Sequence, residues 1–465
     1  MELNDTQRVY FVGAGGIGMA ALARFYMSKA LPVAGYDRTP SALTADLVAE
    51  GARVSYDDCI DAIPPEFRLP DGTLAVYTPA IPADNKVLSF FREHGFELRK
   101  RAWVLGQVTR ASKSLCFSGT HGKTTTSSMA AHILHCSDTG CNAFLGGILK
   151  GYNSNLMLSA TSPWSVVEAD EYDRSFHQLT PYIAVVNATD PDHLDIYGTE
   201  EAYLESFAHF TELIRPDGAL IVRTGLKLRP RPAEGVRVYT FGRNDGDFHA
   251  SNVRVGDGTI VFDFVHPEGR ITDIELGVPV DINIDNAVAA LAAVWLTGEL
   301  TPELARRAMA SYPGVERRFE FHLKEPGRAI IDDYAHHPDE LRQSIASVRA
   351  LYPRRKLTVA FQPHLYSRTR DFADEFADAL SAADEVILID LYPAREQPIP
   401  GISSKTIFDK VKCAQKRMIS KEDFVETMKM SNFEVLLTAG AGDLNLYVPR
   451  LVEALGCKDT AAKNR

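Results

Sequence analysis

Short apolar runs alternate with longer helix-like stretches along most of the chain. In the first part, apolar runs lie at 9–12, 33–36 and 74–77, and a helix-like stretch covers 19–30. A short apolar run bounded by turn residues is typical of a buried strand, and its alternation with helices is typical of βαβ units. The pattern therefore predicts a parallel sheet in this part of the chain.

The same alternation begins again twice. A second set comprises strand-like runs at 114–117, 165–167 and 182–186, with a helix-like stretch at 125–134. A third set of strand-like runs lies at 329–331, 357–360 and 386–389. We therefore predict an α/β protein with three domains, at 1–110, 111–313 and 314–465. The length of 465 residues agrees with three domains, since one domain commonly holds about 100–200 residues.

Composition and charge narrow the class of protein. Hydrophobic residues make up 45% and charged residues 24% of the chain, which excludes disordered, collagen-like and coiled-coil proteins. No apolar run approaches the ~20 residues that span a bilayer, and the polar start is not a signal peptide, so we expect a cytoplasmic protein without a membrane partner. The net charge of −11 argues against nucleic acid as a partner, so an anionic substrate must meet local positive groups.

A glycine-rich loop follows the first predicted strand with the spacing Gly-x-Gly-x-x-Gly, and Asp37 ends the second strand nearly twenty residues later. Backbone N–H groups and a helix N-terminus in such a loop bind a diphosphate, while the acidic residue suits a ribose. A nucleotide sugar and a nicotinamide dinucleotide both carry a diphosphate, so both ligands stay open. The expected binding residues are Gly13, Gly15, Gly16, Ile17, Gly18 and Asp37.

A second glycine-rich loop follows the strand-like run at 114–117. Its glycines are closer together than in the strict P-loop, but backbone amides are present for phosphate oxygens, Lys123 for the β and γ charge, and the Thr124 hydroxyl for Mg²⁺. The loop therefore predicts an enzyme that uses ATP. The expected ATP-binding residues here are Gly119, Thr120, His121, Gly122, Lys123, Thr124 and Thr125.

Acidic side chains follow two later strands. Glu168 ends the run at 165–167, and the polar segment 187–195 after the next strand contains His193. Open α/β sheets bind ligands at the carboxyl ends of their strands. Oxygen ligands with one imidazole suit a Mg²⁺ ion that also bridges substrate phosphates. We therefore expect Thr124, Glu168 and His193 to bind Mg²⁺.

The last third of the chain carries polar clusters beside its apolar strands, at 314–320, 332–338 and 361–370. An arginine in such a cluster can bind a carboxylate or a phosphoryl group through two parallel hydrogen bonds. Surface ion pairing is the alternative for any single arginine.

Together these motifs resemble those of the Mur ligases, and among them the branch that adds L-alanine to UDP-N-acetylmuramate. The resemblance covers nearly the whole chain, from the first glycine loop through 119–125, 168–171, 192–195, 317–320, 333–338 and 361–364 to 440–443. It implies an N-terminal Rossmann-like domain for the UDP-sugar, a central P-loop ATPase-type α/β domain and a C-terminal Rossmann-like α/β domain.

The resemblance also implies the reaction. ATP phosphorylates the lactyl carboxylate of UDP-N-acetylmuramate, and the amine of L-alanine attacks the acyl phosphate to give an amide, ADP and phosphate. The cofactors would be ATP and Mg²⁺, with Lys123, Glu168 and His193 as catalytic residues, and the protein would be a monomer or a weak homodimer. The remaining site residues implied by the resemblance are Asn283, Asn286, Arg318 and Asp333 around the nucleotide, and Tyr334, His336, His364 and Arg368 around the amino acid.

Two positions depart from the pattern of the family. Ile282 stands where many relatives have a histidine that contacts the adenine. No lysine occurs between Lys150 and Lys227, so the carbamylated lysine of several sister ligases has no counterpart after His193, and a second Mg²⁺ would need other ligands.

Within the amino-acid site, we expect Arg368 to anchor the carboxylate of L-alanine, because a guanidinium matches a carboxylate.

Three other functions stay open. A recycling ligase would attach a tripeptide to the same sugar, but the motifs of the third domain favour the alanine enzyme. A nicotinamide-dependent oxidoreductase would use the first loop and leave the second unexplained. A nucleotide-binding switch without catalysis would not need the metal-type clusters.

Overall fold

The computed structural model describes residues 6–192, 194–256, 258–394 and 396–456. Its strands form three separate β-sheets, each with helices packed against it. This arrangement confirms the prediction of an α/β protein with three domains. Within the described ranges, no helix has the length and apolar character needed to cross a membrane.

The first domain is built on five parallel strands in the order β3-β2-β1-β4-β5. This is the strand order of a Rossmann-like sheet without a sixth strand, and the order reverses between β1 and β4. The elements are β1 (Arg8–Val12), α1 (Ile17–Ser28), β2 (Val33–Tyr36), α2 (Ala42–Ala49), β3 (Arg53–Ser55), β4 (Thr73–Tyr77), α3 (Lys86–Glu93), β5 (Glu97–Lys100) and α4 (Arg101–Ala111).

The middle domain has ten strands in the order β15-β14-β13-β12-β11-β10-β6-β9-β7-β8. The strands from β12 to β9 across the centre are parallel, while β13 to β15 form an antiparallel ribbon that the sequence patterns did not predict. The elements are β6 (Lys113–Ser118), α5 (Lys123–His135), β7 (Asn142–Leu149), β8 (Ser154–Met157), β9 (Trp164–Glu168), β10 (Ile183–Val186), α6 (Leu194–Tyr197), α7 (Glu200–Glu212), β11 (Ala219–Arg223), β12 (Arg237–Gly242), β13 (Phe248–Gly256), β14 (Thr259–His266), β15 (Gly269–Glu275), α8 (Ile282–Trp295) and α9 (Pro302–Ser311).

The third domain has six strands in the order β16-β17-β21-β18-β19-β20, and only β16 runs antiparallel to its neighbour. The elements are β16 (Glu320–Glu325), β17 (Arg328–Asp333), α10 (Pro338–Leu351), β18 (Leu357–Phe361), α11 (Tyr366–Asp371), α12 (Ala373–Leu380), β19 (Glu385–Ile389), α13 (Ser404–Phe408), β20 (Gln415–Ile419), α14 (Phe424–Met430), β21 (Val435–Ala439) and α15 (Val448–Ala454). Strands β18, β19 and β21 are almost entirely buried and largely apolar, whereas the buried strand β17 ends on Asp332 and Asp333.

The first and middle domains meet where α1 packs against β7 and β8. The buried Asn155 side chain on β8 donates a hydrogen bond to the carbonyl of Ile17 at 2.8 Å. Helix α4 also contacts the middle domain: a Cβ on Gly106 would lie 2.2 Å from the carbonyl oxygen of Gln178, so only glycine fits there. These contacts fix the start of α1 relative to the middle sheet.

The middle and third domains are joined by a linker that continues the sheet beyond β7. The Glu316 N–H donates to the carbonyl of Ile148, and the Lys150 N–H donates to that of Gly314, both at 3.0 Å. Next to these bonds, the Lys150 ammonium lies 3.2 Å from the Glu320 carboxylate, and each side chain is only 10% exposed. A charged pair with so little solvent contact therefore lies at the junction of the two domains.

We predict that Lys150→Met destabilises the protein by about 3 kcal/mol, because it leaves the buried Glu320 charge without its main partner. The double variant Lys150→Met/Glu320→Gln should lose less stability than the single one, since no uncompensated charge remains. Thermal unfolding of the variants measures this difference.

The exposed pair of Lys227 and Glu200 supplies the control, since its lysine side chain is 74% exposed. Lys227→Met should change the unfolding temperature little. If Lys150→Met behaved like Lys227→Met, the buried pair would not stabilise the junction.

Candidate active site

The first glycine loop connects β1 to α1, as the sequence predicted. Gly13 has a φ of +95°, and its N–H donates to the carbonyl of Tyr36 at 2.7 Å. The Gly15 N–H donates to the Asp37 carboxylate at 2.7 Å. Asp37 therefore stabilises the conformation of the loop. The ribose-binding interpretation did not include this contact. Gly16 caps α1 without a side-chain hydrogen bond, which leaves the N–H groups at the start of α1 for a ligand.

The second glycine loop connects β6 to α5. Gly119 and Gly122 have φ values of +135° and +80°. A Cβ on Gly119 would lie 2.7 Å from the Ala188 nitrogen, and one on Gly122 would lie 2.7 Å from the Asn286 side-chain oxygen. Both positions therefore require glycine, because the loop packs directly against the segment after β10 and against the start of α8.

Lys123 is the first residue of α5, and its ammonium is held by two partners within the protein. It donates to the carbonyl of Gly119 at 2.7 Å and to the Glu171 carboxylate at 2.8 Å. Burial raises the pKa of the Glu171 carboxyl, whereas the charge of Lys123 lowers it. Glu171 is only 1% exposed and was not among the residues predicted from the sequence. The pair keeps the ammonium extended along the loop, where the anionic phosphates of a nucleotide can approach it.

Glu168 ends β9 beside Thr124 and Lys123, so the structure brings these three predicted residues together. Its carboxylate accepts a hydrogen bond from the Gly146 N–H on β7 at 3.1 Å. Burial raises the pKa of the Glu168 carboxyl, and the Thr124 hydroxyl and the Lys123 ammonium oppose that shift. A divalent cation at this position would relieve the cost of burying the negative charge.

The side chains of Thr124 and Glu168 fit a Mg²⁺ ion, which commonly takes one or two protein ligands and completes its shell with water and phosphate oxygens. No group of three or more histidine, cysteine or carboxylate side chains arranged for a metal was found among the described residues. His193, the third predicted ligand, lies outside the described residues.

Two glycines of β7 pack against Glu168 and Thr124. A Cβ on Gly146 would lie 2.3 Å from a Glu168 carboxylate oxygen. A Cβ on Gly147 would lie 3.2 Å from the Thr124 methyl group and 2.6 Å from a methyl group of Val315 in the linker. The same strand therefore contacts the predicted metal ligands and the connection to the third domain.

Asn283 and Asn286 lie buried in the first turns of α8. Asn286 donates to Asn283 at 3.1 Å and accepts from the Thr126 hydroxyl at 3.2 Å, which places it against the second glycine loop. Ile282, at the start of the helix, is 42% exposed. The two asparagines thus support the loop from within the protein, and an apolar side chain is exposed beside them.

The predicted amino-acid residues of the third domain come together at the carboxyl ends of β17 and β18. The rings of His336 and His364 are 6.2 Å apart, and Tyr334 packs edge-on against His336 at 5.0 Å. Burial lowers the pKa of both histidines, and the nearby Arg368 charge acts in the same direction, while the Glu340 carboxylate opposes the shift at His336; the net shift favours the neutral form of each ring. The Nδ1 atom of His364 is buried without a hydrogen-bond partner among the described residues.

Local sequence explains how this cluster is held. Pro338 begins α10, and the Glu340 carboxylate accepts hydrogen bonds from the N–H groups of His336 and His337. Leu365, at the start of α11, has a φ of +69°, a strained conformation for a branched side chain. Both features fix the loops from which His336, His364 and Arg368 project.

Arg317 is a neighbour that the sequence patterns did not single out. Its guanidinium lies 4.5 Å from the centre of the Tyr334 ring and donates to the carbonyls of Gly440 and Gly442 at 2.9 and 3.1 Å. The predicted residue Arg318 is exposed and lies beside the Asp333 carboxyl. Burial raises the pKa of that carboxyl. Arg317 therefore connects the linker to the glycine-rich loop after β21 through hydrogen bonds, whereas the Arg318 side chain is exposed.

Comparison with known families gives matches in all three domains. "Mur ligase family, catalytic domain" matches residues 8–113, "Mur ligase middle domain" matches 117–294, and "Mur ligase, glutamate ligase domain" matches 317–448. The three matched ranges follow the three sheets.

Similar proteins cover nearly the whole chain. The chain is 56% identical to the UDP-N-acetylmuramate–L-alanine ligase of Phocaeicola vulgatus, over 98% of this chain and 100% of that protein. It is 57% identical to the enzyme of the same name from Parabacteroides distasonis, over 98% and 99%.

Two solved structures are also similar. The first, the UDP-N-acetylmuramate-alanine ligase MurC of Thermotoga maritima, has a TM-score of 0.79 at 26% identity and covers 96% of this chain and 98% of its own. The second, a murein peptide ligase of Psychrobacter arcticus, has a TM-score of 0.63 at 19% identity and covers 97% and 99%, a likeness of fold alone.

We predict that Gly146→Ala displaces the Glu168 carboxylate, since the new Cβ would lie 2.3 Å from it. Disturbing a contact that orients a metal ligand typically weakens metal binding about 10–100-fold. The Mg²⁺ concentration at half-maximal phosphate release from ATP should therefore rise at least about tenfold.

Gly327→Ala is the matched control, because no atom lies within 4 Å of its added Cβ. It should leave the Mg²⁺ requirement unchanged. An unchanged requirement in Gly146→Ala as well would remove Glu168 from the metal site.

Proposed function

The chain belongs to the Mur ligase family, and we propose that it is an ATP-dependent ligase that joins L-alanine to the lactyl carboxylate of UDP-N-acetylmuramate. The observation that carries the proposal is that the two glycine loops and the linker to the third domain meet at β7. Its glycine pair lies against Thr124 of the second glycine loop, Glu168 at the end of β9 and Val315 of the linker, and helix α1, which follows the first glycine loop, packs on the same strand. The close relatives of the same name support the choice of substrates.

The chemistry explains why such a site needs ATP. A carboxylate is a poor electrophile because its leaving group would be an oxide, and transfer of the γ-phosphoryl group turns that oxygen into a good leaving group. We assign to Lys123 the stabilisation of charge on the transferring phosphoryl group. Its present anionic partner, Glu171, would then be joined by the phosphate oxygens.

We also propose that Mg²⁺ binds with ATP. Thr124 and Glu168 would hold the ion, together with His193, and it would neutralise the charge of the β and γ phosphates. The desolvated Glu168 carboxylate supports this assignment.

The third-domain cluster would bind the amino acid. We assign the carboxylate of L-alanine to Arg368, with Tyr334, His336 and His364 around the amine. A neutral imidazole accepts a hydrogen bond from an amine, and the lowered pKa values of both histidines keep them neutral near pH 7. The unpartnered Nδ1 of His364 supports this placement.

The proposal includes several further expectations. Asn283, Asn286, Arg318 and Asp333 would surround the nucleotide, and the first glycine loop with Asp37 would bind the UDP-sugar. The domains would divide at 1–110, 111–313 and 314–465. The enzyme would act in the cytoplasm as a monomer or a weak homodimer, without nucleic-acid or membrane partners.

The proposed function is tested by phosphate release from ATP in the presence of UDP-N-acetylmuramate and either L-alanine or the tripeptide of a recycling ligase. We expect release with L-alanine that depends on the sugar and falls at least about 10²-fold in Lys123→Ala, because a preorganised charge is lost. Faster release with the tripeptide would identify a recycling ligase instead. Wild-type rates in a folded Lys123→Ala variant would contradict the role of the lysine.

Arg368→Ala should raise the KM for L-alanine at least about tenfold and change the KM for ATP little, because a hydrogen bond to a charged group contributes about 1.5–3 kcal/mol. Arg370→Ala is the control, since Arg370 is paired with Asp371 at 2.7 Å on the surface. Steady-state titration of each substrate measures both values. If Arg370→Ala alone raised the KM for L-alanine, the anchor would be Arg370.

A further inference from the structure

We propose that Arg101 binds the acceptor carboxylate of the sugar nucleotide and holds it between the two glycine loops. This inference rests on the proposed function and adds a residue to it that the sequence motifs did not identify. Arg101 is the first residue of α4, and its side chain is 23% exposed.

One side of Arg101 faces the first glycine loop. A Cβ on Gly18 would lie 2.7 Å from a terminal nitrogen of the Arg101 guanidinium. The guanidinium therefore packs against the first turn of α1, whose N–H groups we expect to face the diphosphate. A sugar attached to a diphosphate at this loop would extend past Arg101.

The other side of Arg101 faces the nucleotide site. Its second terminal nitrogen lies 3.4 Å from the Asp170 carboxylate, two residues after Glu168. Arg101, Glu168, Asp170 and Phe176 line one small space between the two sites. A positive group thus lies between the proposed binding sites of the UDP diphosphate and of ATP.

The contact with Asp170 is weak enough for a ligand to replace it. Charge-assisted hydrogen bonds are typically about 2.7–2.9 Å long, which is shorter than the 3.4 Å found here. The Asp170 side chain is 37% exposed, and exposed ion pairs contribute only about 0–1 kcal/mol. A carboxylate that binds the guanidinium through two parallel hydrogen bonds would be the stronger partner.

A purely structural role for Arg101 would make a different prediction. The adjacent Lys100 also connects the first and middle domains, through Asp173 at 2.8 Å. If Arg101 served only to hold the domains together, its loss would resemble the loss of Lys100 and would affect every ligand of the first loop equally. Selective loss for ligands with a carboxylate would not follow from that role.

The experiment compares the binding of UDP-N-acetylmuramate with that of UDP-N-acetylglucosamine, which lacks the lactyl carboxylate. Calorimetry is performed without ATP or amino acid on the wild type, Arg101→Met, Arg101→Lys and Lys100→Met. We expect the wild type to prefer UDP-N-acetylmuramate, and Arg101→Met to lose at least about tenfold of that preference through weaker binding of this ligand alone.

Arg101→Lys should retain part of the preference, because lysine keeps the charge but not the planar pair of donors. Lys100→Met should retain all of it. Unchanged binding of UDP-N-acetylglucosamine also shows that each variant is folded.

A preference that survives in Arg101→Met would overturn the inference, and so would equal weakening of both ligands. Both outcomes leave the proposed function intact, because the wild type would still recognise the carboxylate. A wild type that binds neither sugar, or does not distinguish them, would contradict the proposed substrate and this inference with it.

Discussion

The proposed reaction requires two anions, a carboxylate and a triphosphate, to approach within bonding distance of each other. The chain has a net charge of −11, so the necessary positive charge must be concentrated locally. We propose that Lys123 and Arg101 supply it. Each lies beside a carboxylate of the segment after β9, Glu171 and Asp170 respectively. The Lys123 ammonium is thus oriented before substrates bind, whereas the Arg101 guanidinium would exchange Asp170 for the substrate carboxylate.

Strand β7 of the middle domain contacts both the first domain, through α1, and the linker to the third domain. Its two central glycines leave room for the Glu168 carboxylate on one side and Val315 of the linker on the other. Since a side chain at either position would displace one of these neighbours, the position of the predicted metal ligand and the path into the third domain are linked sterically. The buried pair of Lys150 and Glu320 stabilises the same junction.

Buried parallel strands were predicted well because both of their faces are covered, which makes them continuous apolar runs. The predicted strand at 33–36 has the same bounds as β2. The β13–β15 ribbon was missed because residues such as Val255 are exposed and interrupt the pattern. Helix α5 begins at Lys123, earlier than predicted, because its first turn is polar. Glu171 and Gly146 escaped prediction because their roles depend on partners far along the chain, Lys123 and Glu168.

Transfer of ¹⁸O from the substrate to phosphate tests most directly whether the carboxylate is activated by phosphorylation. UDP-N-acetylmuramate labelled with ¹⁸O in both oxygens of its lactyl carboxylate is converted with ATP and L-alanine, and the released phosphate is analysed by mass spectrometry. Activation through an acyl phosphate predicts one ¹⁸O atom in each phosphate and the other in the amide carbonyl. Unlabelled phosphate, or label in AMP, would contradict an acyl phosphate formed at this site.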